Sequence, residues 1–149
     1  MSQTDWVVSV SVETLTTLLQ DAGFRVNHHE QNGLVQLLSA SQGLAFSVRL
    51  GNPGAAPGEF LDFTYSCALR IQGELAPNLV NQWNASRRFC RLSVQADFLV
   101  LEQDVIVADG ISQQHLLGSV VVWDRLLQAL TVYLRDFTAT AEPTQQVSA

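Results

Sequence analysis

Histidine and cysteine are the first residues in this chain to consider for chemistry, because they bind metals and act as bases or nucleophiles. His28 and His29 are adjacent, and neighbouring residues of a strand point to opposite faces, so the pair is poorly placed to hold one metal ion. Cys67 and Cys90 do not form a C-x-x-C pair, and no neighbouring base would lower a thiol pKa. We interpret all four as structural and expect neither a metal nor a cofactor.

Acidic residues near the last predicted strand form a second candidate. Glu102 and Asp104 would share one face of that strand, where two carboxylates could do acid–base work or hold a hard cation. Acidic proteins commonly carry such pairs on solvated strand faces, and Asp109 before Gly110 is typical of a turn. The chain also has no lysine, which excludes Schiff-base and P-loop lysine chemistry. We therefore predict that the protein is not an enzyme, with a small-ligand- or metal-binding enzyme subunit as one alternative.

The composition is that of one acidic globular domain. The chain has 149 residues and a net charge of −6, and only 15 % of its residues are charged, which leaves much of the surface neutral. Net negative charge opposes binding to phosphate backbones. A second alternative, a nucleic-acid-associated protein, would depend on a local cluster of arginines: Arg49, Arg70, Arg87, Arg88 and Arg91.

Nothing in the sequence resembles a targeting segment. No lysine or arginine precedes Asp5, no apolar h-region follows, and no apolar run approaches about 18 residues. We expect a cytoplasmic protein with free thiols and no membrane association.

Hydrophobic periodicity predicts an α+β domain. A helix begins at Ser11 and stops near Gly23, and strands follow at 24–30, 34–40, 44–50 and 61–71, the first two joined by an Asn-Gly turn. A second helix follows Pro77, strands begin near Cys90 and Phe98, and a long helix capped by Ser112 runs to about Thr138. The order is α-β(3-4)-α-β-β-α with helices covering an antiparallel sheet. Residues 1–10 would be an extension, residues 11–138 a single domain, and residues 139–149 a disordered tail.

The last predicted helix carries more apolar surface than one contact requires. One stripe steps alternately by four and three residues, and a second apolar row flanks it. Either the helix lies deep in its own domain, or one of its sides packs against a second copy. We favour a homodimer whose interface is made by five residues of the stripe: Leu116, Val120, Trp123, Leu127 and Leu130.

The segment around Trp83 carries a family resemblance. Asn81, Trp83 and Asn84, then Arg88-Phe89, and further on Gly110-Ile111-Ser112 leading into the last helix, resemble the YbjN-like family of bacterial sensory-transduction regulators. Gln82 stands where that family commonly has an acid. From the residues alone, Trp83 would anchor its helix to the core, and Asn84 would cap or cross-link the backbone where helix meets strand.

The resemblance spans roughly 11–137 and implies a fold similar to class I type III secretion chaperones, which are acidic, homodimeric and non-catalytic and bind extended client segments. It supplies no catalytic residues. We therefore predict a homodimeric, chaperone-like or regulatory module that binds a client protein by strand addition or through apolar patches.

Overall fold

A computed structural model describes the backbone of residues 6–148 and the side chains of residues 6–137. Three helices are present in this part of the chain: α1 (Val12–Asp21), α2 (Leu79–Ser86) and α3 (Gln113–Ser148). The strands are β1 (Trp6–Val7), β2 (Asn27–Gln31), β3 (Leu34–Ser41), β4 (Leu44–Leu50), β5 (Asp62–Arg70), β6 (Arg91–Gln95), β7 (Phe98–Ile106) and β8 (Ile111–Ser112). This order confirms the predicted α+β class.

Six strands form one antiparallel sheet in the order β2-β3-β4-β5-β7-β6, and β1 pairs with β8 in a small second sheet. Four strands of the six-stranded sheet precede α2, which is the larger of the two numbers expected. The first hairpin turns at Asn32-Gly33, where both residues have positive φ (56° and 80°), as the Asn-Gly dipeptide predicts. β1 and β8 are too short to leave a periodic signal in the sequence.

All three helices lie on one face of the six-stranded sheet. Strand register places Leu37, Val48 and Tyr65 side by side, and Cys67 beside Leu101. These side chains form one buried cluster with the apolar faces of the helices. The opposite face of the sheet carries no helix from the described part of the chain, so α1, α2 and α3 together leave the sheet covered on one side only.

The N-terminal segment is tied to the domain rather than standing apart from it. Trp6 pairs with Ser112, and Val10 is fully buried and exchanges two backbone hydrogen bonds with Phe60. At the other end, α3 extends to Ser148, beyond the expected end near Thr138. The side chains of the expected tail lie outside the described residues, and its disorder stays a prediction.

The stripe of α3 is buried within its own domain. Leu116, Val120, Trp123, Leu127 and Leu130 are each at most 2 % exposed, because they pack against the covered face of the sheet. The assignment of these five residues to a dimer interface is therefore corrected: their surface is already occupied by the same chain. The stripe instead fits the other alternative given above, in which the helix lies deep in its own domain. Homodimerisation itself stays a prediction.

The apolar character of α3 also has a bearing on membranes. Gln113–Phe137 is long and apolar enough to cross a bilayer by length and composition, with a hydropathy of 1.2 in its most apolar window. This segment was not predicted from the sequence, because short polar steps interrupt its apolar runs. Its apolar stripe packs on the sheet, and 39 % of that window is buried within the domain.

Candidate functional site

Trp83 anchors α2 to the core, as predicted from its place in the motif. Its side chain is 0 % exposed, and its ring meets the Tyr133 ring of α3 edge to face, with 5.1 Å between centroids. The Tyr133 hydroxyl donates a 2.7 Å hydrogen bond to the carbonyl of Leu79, the first residue of α2. An aromatic pair and a hydrogen bond therefore hold α2 on α3.

Asn84 joins α2 to the edge strand β6. The Leu92 N–H donates to Asn84 Oδ1 at 2.8 Å, and Asn84 Nδ2 donates to the Leu92 carbonyl at 2.9 Å. Both backbone groups of Leu92 point away from β7, and the Asn84 amide satisfies them as a neighbouring strand would. The predicted cross-link between helix and strand is therefore present, and it closes the sheet edge at Leu92.

The rest of the motif is exposed. Phe89 lies just before β6 with 68 % of its surface accessible and a φ of 72°, a left-handed conformation that is uncommon for a bulky residue. The Arg88 guanidinium lies over its ring, 5.0 Å from the centroid. Asn81 is exposed on α2, and nothing in the structure explains its place in the motif.

The two edges of the six-stranded sheet differ in chemistry. At one edge, every residue of β2 (Asn27–Gln31) is exposed and polar. At the other edge, β6 exposes the apolar Val94, and Phe89 is exposed two residues before the strand. Phe98 and Ile106 are exposed at the two ends of the neighbouring strand β7. Polar and charged residues on an edge discourage pairing with another chain, and apolar ones favour it.

The predicted carboxylate pair, Glu102 and Asp104, lies on the uncovered face of the sheet, where arginine side chains form ion pairs with both acids. Glu102 accepts from Arg49 at 2.6 Å and from Arg91 at 3.1 Å, and Arg91 also bonds Asp104 at 2.6 Å. The Arg91 hydrogen bond, assisted by Thr64, holds the pKa of Asp104 below its usual value despite partial burial. A carboxyl with a lowered pKa is a poor general acid at neutral pH.

The arginines of the nucleic-acid alternative also have partners within the chain. Arg49 and Arg91 take part in the ion pairs just described. The other three stack on aromatic rings: Arg70 on Phe98, Arg87 on Trp83 and Arg88 on Phe89. The five therefore do not form a single cationic surface clear of acids.

The remaining predicted candidates are dispersed. His28 and His29 point to opposite faces of β2, because they pair with the core residue Leu37 and with Gln36 respectively. Burial raises the pKa of the Cys67 thiol to about 11, and burial also raises that of Cys90, so neither is activated. Asp109 has a φ of 67° in the turn before Gly110, as its dipeptide predicts. Among residues 6–137, no group of three or more His, Cys, Asp or Glu side chains could hold a metal.

The core contains a group of buried polar side chains that was not predicted from the sequence. The Tyr65 hydroxyl and Ser119 Oγ lie 2.9 Å apart in the core, where burial strongly raises the pKa of Tyr65. Gln103 pairs with Tyr65 across the sheet and is only 5 % exposed. Its position in the alternation of Leu99, Leu101 and Val105 was the available signal, since it is the one polar residue on that inward row.

Comparison with known proteins identifies the family. No curated protein and no solved structure matches the chain significantly. The similarity to class I type III secretion chaperones accordingly stays a prediction. A family model, YbjN, described as "putative bacterial sensory transduction regulator", matches residues 11–131. This match covers most of the chain and includes the Trp83–Asn84 motif, the edge strand that it closes and α3 as far as Thr131, and the chain therefore belongs to the YbjN family.

Proposed function

We propose that this protein is a non-catalytic, homodimeric, cytoplasmic protein-binding module, chaperone-like or regulatory, that binds a client protein. The observation that carries the proposal is the exposed apolar side chains at the β6 edge of the sheet, Phe89 and Val94. Apolar side chains on a sheet edge favour association with an extended segment of another protein. The family description, a sensory transduction regulator, is consistent with a regulatory role.

Asn84 limits where a client strand can pair with the β6 edge. Asn84 occupies the backbone groups of Leu92, so a client strand cannot pair with β6 at that residue. Val94, two residues further on, is 51 % exposed and carries no such cover. The client contact therefore includes apolar side chains at the end of β6 rather than pairing along all of it.

Val94→Asp tests client binding. We expect this variant to lose a stoichiometric partner that the wild-type protein retains in a pull-down from native, nuclease-treated lysate, because a charge on a sheet edge opposes association. Val8→Asp is the matched control, since Val8 is 60 % exposed but lies near Gly110, away from this edge. No partner above background with the wild type, or equal capture by both variants, would contradict the proposal.

Homodimerisation requires a surface other than the buried stripe of α3. The outer side of the same helix offers Leu117, Val121 and Val132, which are 43 %, 46 % and 40 % exposed. Large apolar side chains along one side of an exposed helix are typical of a contact between subunits. We propose that this side meets its equivalent in a second copy.

Val121→Asp tests the dimer. We expect the wild type to sediment as a dimer at micromolar concentration and the variant as a folded monomer, because a charge opposite its own copy in a two-fold interface is repulsive. Circular dichroism checks that the variant is folded, and Gln82→Asp, an exposed substitution on α2, is the control for added charge, because Gln128 on α3 shares the side of Val121 and Val132. A monomeric wild type would overturn the dimer proposal and leave client binding standing.

A further inference from the structure

One end of β7 is paired on one side only. The β5–β7 ladder continues to Asp62–Ile106, whereas the β6–β7 ladder ends at Arg91–Glu102. Phe89, with its φ of 72°, turns the chain out of the sheet at this point. The stretch from Gln103 to Ile106 therefore has no neighbouring strand on the β6 side within the described chain. β6 pairs only with the preceding part of β7, from Phe98 to Glu102.

A groove follows this half-paired stretch. It has a volume of about 730 Å³, within the usual range for ligand sites, and lies between Gln103–Ile106 and the first turns of α3, with Phe89 at its rim. Consecutive residues of β7 face opposite sides of the sheet. A groove lined by all of Gln103–Ile106 therefore runs along the strand edge rather than under one face.

The groove contains an unpaired polar group. Gln103 lines it and is 95 % buried, and its Oε1 has no hydrogen-bond partner among the described residues. Neighbouring Ser119 is already engaged with Tyr65 and donates to the Leu116 carbonyl. A buried amide oxygen without a partner is costly. The oxygen is closed off from solvent here, so a backbone N–H of a bound segment would satisfy it once the Gln103 side chain turns toward the groove.

At Gly118, no side chain projects from α3 into the groove. Gly118 lies inside a helix, where glycine is less favourable than alanine, yet a Cβ built there meets nothing within 4 Å. The packing of the chain itself therefore does not require glycine at this position. The small residue leaves space next to Val122 and Val105, which suits close approach of a ligand.

The charges around the groove favour an acidic occupant. The Arg88 guanidinium lies over the ring of Phe89, a lining residue, and no ion pair among the described residues engages it. The carboxylate that lines the groove, Asp104, is neutralised by Arg91. The first turn of α3, with Gln114 and His115 on the wall, adds the positive end of the helix dipole.

We infer that this groove binds an extended, acidic segment of a client protein. The segment adds as a strand beside Gln103–Ile106, in the position that β6 would occupy if it continued along β7. Backbone groups of the segment pair with β7, alternate apolar side chains enter between Val105 and Val122, and an acidic residue meets Arg88. This inference rests on the proposed client binding and adds a second contact to it. The groove lies at the end of β7 opposite to Leu99, which pairs with Val94, so the two contacts hold separate parts of one client and both are needed for its binding.

The test uses random peptides of about twelve residues displayed on phage, long enough to span the groove. Phage that bind immobilised Gly118→Leu, whose leucine side chain fills the groove, are removed first. The remaining phage are then selected for binding to the wild-type protein. Selected sequences are synthesised, and their affinities are measured by fluorescence anisotropy. Gly118→Ala is the matched control, because it gives a similar gain in helix propensity and adds only one methyl group.

We expect the selected peptides to be acidic, to alternate apolar residues, and to bind the wild type and Gly118→Ala at least about tenfold more tightly than Gly118→Leu. Arg88→Glu should weaken them in the same direction, and N-methylation of alternate peptide amides should abolish binding. Peptides that bind Gly118→Leu as well as the wild type, or a selection that yields no discriminating sequence, would overturn the groove. If Gly118→Leu still captures the partner that Val94→Asp loses, the groove is wrong and the proposed function stands.

Discussion

Replacing Trp123 with aspartate is expected to unfold the protomer, not to separate two intact protomers. Trp123 is 1 % exposed, stacks on Tyr65 with 5.4 Å between ring centroids, and meets Phe46 edge to face at 5.8 Å. The substitution removes these contacts and buries a charge without a partner. Each effect alone costs several kcal/mol, so the loss should exceed about 4 kcal/mol, a large part of the stability of a domain this size.

Urea unfolding followed by far-ultraviolet circular dichroism measures this loss. Trp123→Phe is the matched control, because it keeps an aromatic ring at the same position and should lose only about 1–2 kcal/mol. A Trp123→Asp protein that is folded and monomeric, while the wild type is dimeric, would restore the interface predicted from the sequence. It would also contradict the burial of the α3 stripe described above.

Replacing Asn84 with alanine is expected to cost about 2–3 kcal/mol and to make the protein prone to aggregation. The variant leaves the N–H and carbonyl of Leu92 without their partners, and it opens the sheet edge at that residue. Asn84→Asp should not restore stability, because a carboxylate accepts from the N–H but cannot donate to the carbonyl. Both amide functions are needed at this position.

Unfolding midpoints and light scattering on the same samples test the expectation. Gln82→Ala is the control, since Gln82 is an exposed side chain of the same helix and should change stability by less than about 0.5 kcal/mol. If Asn84→Asp were as stable as the wild type, the bond from Nδ2 to the Leu92 carbonyl would contribute little. The motif would then owe its stability to Trp83 and to the bond from the Leu92 N–H.

Local signals in the sequence predicted most of the fold, because each depends on only a few neighbouring residues. The Asn32-Gly33 turn, the Ser11 and Ser112 caps and the alternation along β5 each have a local physical cause, and the structure contains all of them. The two-residue strands β1 and β8 were not predictable in this way. Their pairing joins residues near the N-terminus to residues after β7, and no local pattern encodes that contact.

The candidate site was predicted in part. The role of Asn84 followed from its place between a helix and a strand, and Glu102 and Asp104 were correctly placed on one face. The partners of these acids, Arg49 and Arg91, could not be assigned, because strand order brings together residues that are distant in the chain. The groove beside β7 depends on where β6 leaves the sheet, a property of Phe89's backbone that its side-chain type does not predict.

The amino-acid sequence by itself determined the fold class, the family and the apolar stripe of the last helix. Composition, periodicity and short motifs carry that information, because they reflect the local preferences of the chain. Only the tertiary structure decided what covers the stripe, since an apolar helix face is equally stabilised by its own sheet and by a second copy. The sheet of the same chain fills that role here, and the surfaces that we propose for partners are therefore the outer side of α3 and the exposed apolar residues at the β6 edge.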